Sequence, residues 1–187
     1  MIMKVENYYQ KGFTLVELIV AIVILAILVG IAIPSFTDLI RNNQTSSQTN
    51  EFIRDINLAR SEAVKRGTRV IVCKSTNGNG CTGGNWEQGW IIFADNNANG
   101  SVDAQETIRV NQGLENGFTL RVGVTFSDWI AYEPSGAIIG NGGTPTGNIA
   151  TDAFRLCRPE ASTNDSRQTI FSPSGRAQVT EGTASCP

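Results

Sequence analysis

The feature that most constrains this chain is an apolar run at residues 15–33, LVELIVAIVILAILVGIAI, in which Glu17 is the single charged residue. A helix of this length is long enough to cross the hydrocarbon core of a membrane. The short flank before the run contains Lys4 and Lys11. Positive residues on such a flank favour keeping it in the cytoplasm. The pattern therefore predicts a membrane-spanning helix with the rest of the chain on the other side.

A cleaved secretory signal is the rival interpretation of this run. Such a signal has a shorter apolar region, followed by a small-residue cleavage site. Here the run leads into Pro34 and Ser35 and then into a polar helical pattern. The sequence therefore favours an apolar segment that is retained in the mature chain over one that is cleaved off.

Glu17 is unusual inside an apolar run. A carboxylate in a membrane span costs about 2.5–3.5 kcal/mol on insertion scales, so it calls for a functional reason. The alternative is a tolerated charge that extends to the membrane surface, since Glu17 lies near the end of the run. The spacing alone leaves both interpretations open.

The residues around the start of the run resemble a known family. The segment KGFTLVE at residues 11–17, followed by the apolar run and Pro34, resembles the class III signal of type IV pilins and type II secretion pseudopilins. The resemblance implies a prepilin leader at residues 1–12, which prepilin peptidase cuts between Gly12 and Phe13, and methylation of the new N-terminus at Phe13. Residues 13–34 would then form the transmembrane and filament-core half of a long helix, which we expect Pro34 to kink.

Cleavage at this position would give Glu17 a partner. The new α-amine of Phe13 would lie in an apolar helix bundle, where an unpaired charge is costly. A carboxylate four residues further on, from the same or a neighbouring subunit, can neutralise it. We therefore expect Glu17 to select the axial register during assembly.

The second half of the helix is predicted at residues 35–66. Apolar residues recur there at spacings of three or four, which indicates an amphipathic stripe. The stripe consists of Phe36, Ile40, Phe52, Ile56, Ala59 and Ala63. Opposite charges pair Glu51 with Arg54 and Glu62 with Arg66 on the exposed side. Gly67 is a typical helix stop.

Residues 67–187 are predicted to form an antiparallel β head, which makes the fold class α+β. Short β-rich segments at 69–74, 89–93, 107–110, 118–124 and 129–133 alternate with turn clusters. Two segments repeat one design, YEPSGA at 132–137 and FSPSGR at 171–176. Proline presets the first turn position and glycine accepts the left-handed one, as in a three-residue hairpin with a bulge.

The head narrows the resemblance. The segment WEQGWIIFAD at 86–95, the Asn-rich loop that follows and the SPSGR turn at 172–176 resemble the GspH/FimT family of minor pilins. This resemblance implies the type IV pilin fold and a low-abundance subunit at or near the pilus tip that helps to start assembly. Implied partners are major and minor pilins, prepilin peptidase and the inner membrane. The chain would cross the bacterial inner membrane once with a periplasmic head, and would then enter the filament.

Four cysteines indicate disulfide bonds if the head lies outside the cytoplasm. They are Cys73, Cys81, Cys157 and Cys186. Of the three connectivities, we favour the sequence-local one, Cys73 with Cys81 and Cys157 with Cys186. Buried free thiols are the alternative.

The Asn-rich loop at 95–106 matches the twelve-residue ligand pattern of a calcium-binding EF-hand. Its candidate ligands are Asp95, Asn97, Asn99, Ser101, Asp103 and Glu106. The flanks are predicted strands rather than helices. A loop of this composition also suits a β-turn without an ion, so calcium is one of two interpretations and no other cofactor is expected.

DNA is a further candidate partner. FimT-like pilins that act as DNA receptors in natural transformation share a C-terminal Gly-Arg-x-Arg motif, whereas this chain has Arg176 but Gln178 at the second arginine. Arg155, Arg158 and Arg167 lie nearby in sequence and would join Arg176 in a patch. The head carries eight basic and eleven acidic residues, which favours solvated charges over a DNA site.

The sequence contains no histidine, the commonest general base and zinc ligand. An enzyme is therefore not expected. The resulting prediction is a minor type IV pilin, with a DNA-uptake pilin and a type II secretion pseudopilin as the alternatives.

Overall fold

A computed structural model describes residues 12–159, 166–182 and 186 of the chain. The first helix, α1, spans Leu15–Arg66, and a short helix, α2, spans Ile149–Asp152. The strands are β1 Arg69–Lys74, β2 Trp90–Asp95, β3 Thr107–Asn111, β4 Thr119–Val122, β5 Trp129–Tyr132, β6 Ile138–Gly140, β7 Ala153–Cys157, β8 Arg167–Phe171 and β9 Ala177–Glu181.

The strands form two antiparallel sheets. The first contains five strands in the order β3-β2-β1-β5-β6, and the second contains four in the order β4-β7-β8-β9. Every registered strand pair is antiparallel. The predicted α+β class and antiparallel head are therefore confirmed.

The chain divides between Arg41 and Asn42 into a first and a second unit. Within the first unit, α1 exposes its large apolar side chains, from Leu15 at 74% exposed to Ile40 at 53%. An 18-residue window of this helix has a mean hydropathy of 3.2 and none of it is buried, so it is long and apolar enough to cross a membrane. The backbone is helical through position 34. The kink at Pro34 stays a prediction.

In the second unit, α1 packs on the head through four fully buried side chains, Phe52, Ile56, Ala59 and Ala63. Their spacing places them on one face of the helix. Of the predicted stripe, Phe36 and Ile40 are 63% and 53% exposed, so its buried part begins at Phe52. Periodicity alone does not show where the head begins to cover the helix.

One hydrophobic core joins α1 to both sheets. Strand β1 directs Val70 and Val72 into this core, while Ile71 and Cys73 point to the opposite face of the sheet and join a second, smaller cluster. This alternation follows from the two-residue period of a strand. Val102, Trp129 and Ile139 pack against this second cluster.

A buried carboxylate anchors α1 to the first sheet. Asp55, which is 0% exposed, accepts hydrogen bonds from Nε1 of Trp90 at 3.0 Å, from Arg109 at 2.7 Å and from Asn111 at 3.3 Å. Buried charges are retained when they are paired and hydrogen-bonded. The contact fixes how residues 42–66 lie on β2 and β3.

The two repeated Pro-Ser-Gly turns meet each other. In each turn a glycine with positive φ, Gly136 at 82° and Gly175 at 77°, closes the predicted three-residue hairpin. The first turn belongs to β5–β6 and the second to β8–β9, so they come from different sheets. A Cβ atom at Gly175 would lie 2.4 Å from the carbonyl oxygen of Gly136. Glycine is therefore required here by close approach as well as by φ.

Candidate functional site: the N-terminal assembly segment and the sites of the head

The candidate assembly segment begins at Phe13, which is 84% exposed. Thr14 caps α1, because its Oγ1 accepts a hydrogen bond from the backbone N–H of Glu17 at 3.3 Å. Its carbonyl oxygen accepts the first helical bond from Leu18 at 3.2 Å. Glu17 is thus the third residue of the helix. This cap was not among the predicted features, although Thr followed three residues later by Glu is the signal of a capping box.

The position of Glu17 has an electrostatic consequence. A carboxylate in the first helical turn is stabilised by the positive end of the helix dipole. The side chain of Glu17 is exposed, so it can receive a cationic partner. Residues 1–11 of the leader lie outside the described residues. Cleavage between Gly12 and Phe13, methylation of Phe13 and the register role of Glu17 stay predictions.

The apolar surface behind Glu17 is extensive. Between Phe13 and Ile40 the large apolar side chains of the described residues are each at least 44% exposed. Burying apolar surface stabilises by roughly 25 cal/mol per Å². Such a surface therefore requires a membrane or other apolar helices around it.

Both disulfide bonds have the sequence-local pairing. Cys73 is bonded to Cys81 and Cys157 to Cys186, and none of the described cysteines is free. The first bond closes a loop beside β1. The second fixes Cys186, near the C-terminus, to the end of β7.

The Asn-rich loop is held together by its own side chains. Asp95 is buried and binds the guanidinium of Arg69, with Nε at 3.0 Å. Its Oδ1 accepts the N–H of Gly100 at 3.2 Å. Burial would raise the pKa of Asp95, but the hydrogen bonds from Arg69 and Gly100 outweigh it and lower the pKa below its usual value.

The other predicted calcium ligands are also engaged. Asp103 accepts hydrogen bonds from the side-chain amides of Asn97 and Asn99 at 2.7 and 2.8 Å. Glu106 accepts the N–H groups of Asn96 and Asp103 at 3.0 and 3.2 Å.

Ser101 donates its N–H to Oδ1 of Asn99 at 2.7 Å. Within the described part of the chain, no group of three or more Cys, Asp or Glu residues is arranged to hold a metal. Arg69 occupies one carboxylate oxygen of Asp95, which favours the turn without an ion, and calcium binding stays the alternative of the two interpretations.

The four candidate DNA-binding arginines do not share one place. Arg167 is nine-tenths buried and pairs with Glu181 at 3.2 Å. Arg176 is exposed beside the turn at the opposite end of the β8–β9 hairpin, about 13 Å away for a strand of this length. Arg155 faces Gln168 across β7–β8. Arg167 and Arg176 therefore lie apart, and DNA binding by these four arginines stays a prediction.

A buried carboxylate at the end of α2, that of Asp152, holds two neighbouring loops. Asp152 accepts hydrogen bonds from the hydroxyl of Thr125 at 2.6 Å and from the N–H groups of Thr146 and Asn148 at 2.6 and 2.9 Å. Burial would raise its pKa, but these bonds outweigh it and lower the pKa to about 2. An acid held this firmly in its charged form stabilises structure and is poorly suited to proton transfer.

Comparison with known sequences gives two family matches. A model of the type II transport protein GspH matches residues 48–175, and a model of the prokaryotic N-terminal methylation motif matches residues 7–33. The type IV major alpha-pilin and the fimbrial protein Q of Moraxella bovis are each 48% identical to this chain over 42 residues, or 22% of it. The chain spans 26% and 27% of the length of these two relatives.

Two solved structures share the fold. The type IV minor pilin FimU of Pseudomonas aeruginosa matches with a TM-score of 0.50 at 18% identity, over 75% of this chain and 90% of FimU. The minor pseudopilin EpsH from the type II secretion system of Vibrio cholerae matches with a TM-score of 0.51 at 12% identity, over 78% of this chain and 99% of EpsH. At these identities the likeness shows the fold alone, a long N-terminal helix packed on an antiparallel β head.

Proposed function

Because this chain belongs to the GspH family of minor pilins and pseudopilins, we propose that it is a minor type IV pilin, a structural subunit that helps to start pilus assembly near the tip. The proposal rests on the exposed apolar surface of α1 in the first unit. The helix begins there with a turn that Thr14 caps and that contains Glu17. This surface is stable in a membrane and equally in a bundle of like helices.

The proposed sequence of events begins in the inner membrane, with the apolar half of α1 spanning it and the head in the periplasm. Prepilin peptidase removes the leader and leaves a charged amine at Phe13. When the subunit enters the filament, that amine leaves the polar interface, and Glu17 of the same or a neighbouring subunit neutralises it. A subunit in the wrong register would bury both charges unpaired, which is strongly unfavourable.

The head then contacts other minor pilins above the helix bundle. Its rigidity supports this role, because Asp55 and Arg60 fix α1 to the sheets through buried or partly buried contacts. Because the head is fixed to residues 42–66 of α1, the axial position of the helix determines which surfaces of neighbouring heads it contacts. Major and minor pilins are thus the proposed partners.

A second candidate, the minor pseudopilin of a type II secretion system, is favoured by the match to the type II transport protein GspH. In a pseudopilus the exposed apolar half of α1 would likewise be buried among the helices of neighbouring subunits. DNA uptake has no comparable support, since Arg167 and Arg176 lie at opposite ends of the β8–β9 hairpin.

A deletion strain separates the two candidates. We expect loss of the gene to reduce surface pili strongly while secretion of type II substrates continues, and a plasmid copy to restore piliation. Normal piliation with impaired secretion would support the pseudopilin instead. Normal piliation and normal secretion would refute both.

A further inference from the structure

The outer face of the first sheet carries a small pocket. It is lined by Arg69, Ile71, Cys81, Gly100 and Trp129 and has a volume of about 190 Å³. The floor is Ile71, part of the second hydrophobic cluster. An apolar cavity of about 150 Å³ is large enough to bind benzene. The pocket can therefore hold one aromatic or large aliphatic side chain.

Two loops and the strands β1 and β5 build the pocket. Cys81 is held against β1 by its disulfide bond to Cys73, and Gly100 is held by its hydrogen bond to Asp95. A Cβ atom placed on Gly100 would meet nothing within 4 Å, so the mouth beside it is open. The pocket thus has fixed walls.

Two residues that line the pocket, Arg69 and Trp129, each have a hydrogen-bond donor without an acceptor in the described part of the chain. Arg69 uses Nε and one terminal nitrogen for Asp95, and its side chain is 31% exposed. Among the described residues, neither its other terminal nitrogen nor the indole N–H of Trp129 has an acceptor. Trp86 and Trp90, in contrast, donate to Phe126 and Asp55. Donors without acceptors beside an apolar floor are complementary to an oxygen acceptor that carries an apolar group.

Tryptophan and arginine are also the residues enriched at the energetic centre of protein interfaces. We propose that this pocket binds one apolar side chain, together with an adjacent carboxylate or carbonyl oxygen, from the head of a neighbouring pilin. The identity of the partner rests on the proposed function; the chemistry of the pocket does not. Arg69 donates to the oxygen, and Trp129 and Ile71 contact the apolar group.

The full chain purified in detergent tests the pocket directly. Trp86 and Trp90 are 1% and 0% exposed, so acrylamide quenching of tryptophan fluorescence reports mainly on Trp129. We expect N-acetylphenylalanine to protect Trp129 saturably, with a dissociation constant on the order of 1 mM for so small a ligand. N-acetylglycine lacks the ring and phenethylamine carries the opposite charge, so neither should protect.

Gly100→Asn narrows the mouth, and asparagine tolerates positive φ. Gly67→Asn is the matched control, because Gly67 has a similar φ of 66° and equally open space but lies outside the pocket. We expect G100N to lose protection and G67N to keep it. No saturable protection of the wild type, equal protection by phenethylamine, or unchanged binding by G100N would each overturn the proposal.

The variants G100N and G67N also test, in cells, whether the partner is a neighbouring pilin. If deletion abolishes piliation, G100N should reduce pilus number and G67N should not. Wild-type piliation by G100N in that strain would overturn the assignment to a neighbouring pilin. Normal piliation in the deletion strain would instead refute the proposed function, while the fluorescence result would stand separately.

Discussion

The Nε atom of Arg60 on α1 donates a hydrogen bond to the carbonyl oxygen of Gly136, 3.2 Å away in the β5–β6 turn. Its Nη2 atom donates to the carbonyl oxygen of Ser174 at 3.0 Å, in the β8–β9 turn. One side chain therefore ties the helix to a turn from each sheet. The hydroxyl of Tyr132 adds a bond to the carbonyl oxygen of Gly175 at 3.3 Å.

Arg60→Ala is expected to destabilise the head by about 1.5–3 kcal/mol, the range for hydrogen bonds that involve a charged group. Arg54→Ala is the matched control on the same helix, because Arg54 is 62% exposed and its ion-pair distances are 3.7 and 3.8 Å. Exposed pairs of this kind contribute about 0–1 kcal/mol. Urea denaturation measures both variants, and an equal effect of the two would contradict this account of Arg60.

The two disulfide bonds should differ in their contribution to stability. Cys157 and Cys186 are 29 residues apart in sequence, whereas Cys73 and Cys81 are 8 apart. Chain-entropy estimates give about 3.5 kcal/mol for the longer loop and about 2.5 kcal/mol for the shorter one.

We expect replacing both Cys157 and Cys186 by serine to lower the denaturation midpoint more than replacing Cys73 and Cys81. The reverse order would show that native-state contacts, rather than loop length, determine the difference.

Asp152 should make the head sensitive to acid. Its pKa is about 2 in the folded chain against an ordinary value of 3.8, so the unfolded chain takes up the proton first. This stabilisation, about 2 kcal/mol by linkage, is fully present above pH 4 and is lost as the pH falls from about 4 to about 2. The free energy of unfolding, measured by urea denaturation at pH values between 2 and 6, should fall less steeply with decreasing pH for Asp152→Asn than for the wild type. The same pH dependence for both proteins would refute the role of this carboxylate.

The calcium interpretation of the Asn-rich loop is open to a direct titration. Since Arg69 already neutralises Asp95, we expect calorimetry of the full chain, stripped with a chelator, to give no saturable heat with calcium. Saturable one-to-one binding in the wild type that Glu106→Gln abolishes would contradict this expectation. It would then identify the loop as a calcium site.

Local patterns made much of this fold predictable. Helix α1 ends at Arg66 and β1 spans Arg69–Lys74, both as the sequence indicates, because a glycine stop and a β-branched run are local signals. The bounds of β2 differ from the predicted 89–93, since the ladder with β1 continues to Asp95. Pairing partners decide such limits, and they lie far away in sequence.

The candidate sites were predictable to different degrees. The disulfide pairing follows from short separations. Nearness in sequence did not predict nearness in the fold for Arg167 and Arg176, which occupy opposite ends of one hairpin. The contact between Arg60 and Gly136 joins residues 76 positions apart, and no local pattern indicates it. No local pattern indicates the pocket beside Ile71 either, because it forms only when two loops distant in sequence come together on one face of the first sheet.

Incorporation of Glu17 variants into filaments tests the central claim most directly. Glu17→Ala and Glu17→Gln, the second of similar size but uncharged, are produced in the native strain. Leader removal is scored by mass spectrometry of the membrane fraction, and incorporation by immunoblot of sheared filaments. We predict normal cleavage after Gly12 for both variants and loss of both from the filament fraction, because the α-amine of Phe13 would then be buried unpaired. Wild-type levels of either variant in sheared filaments would contradict the account.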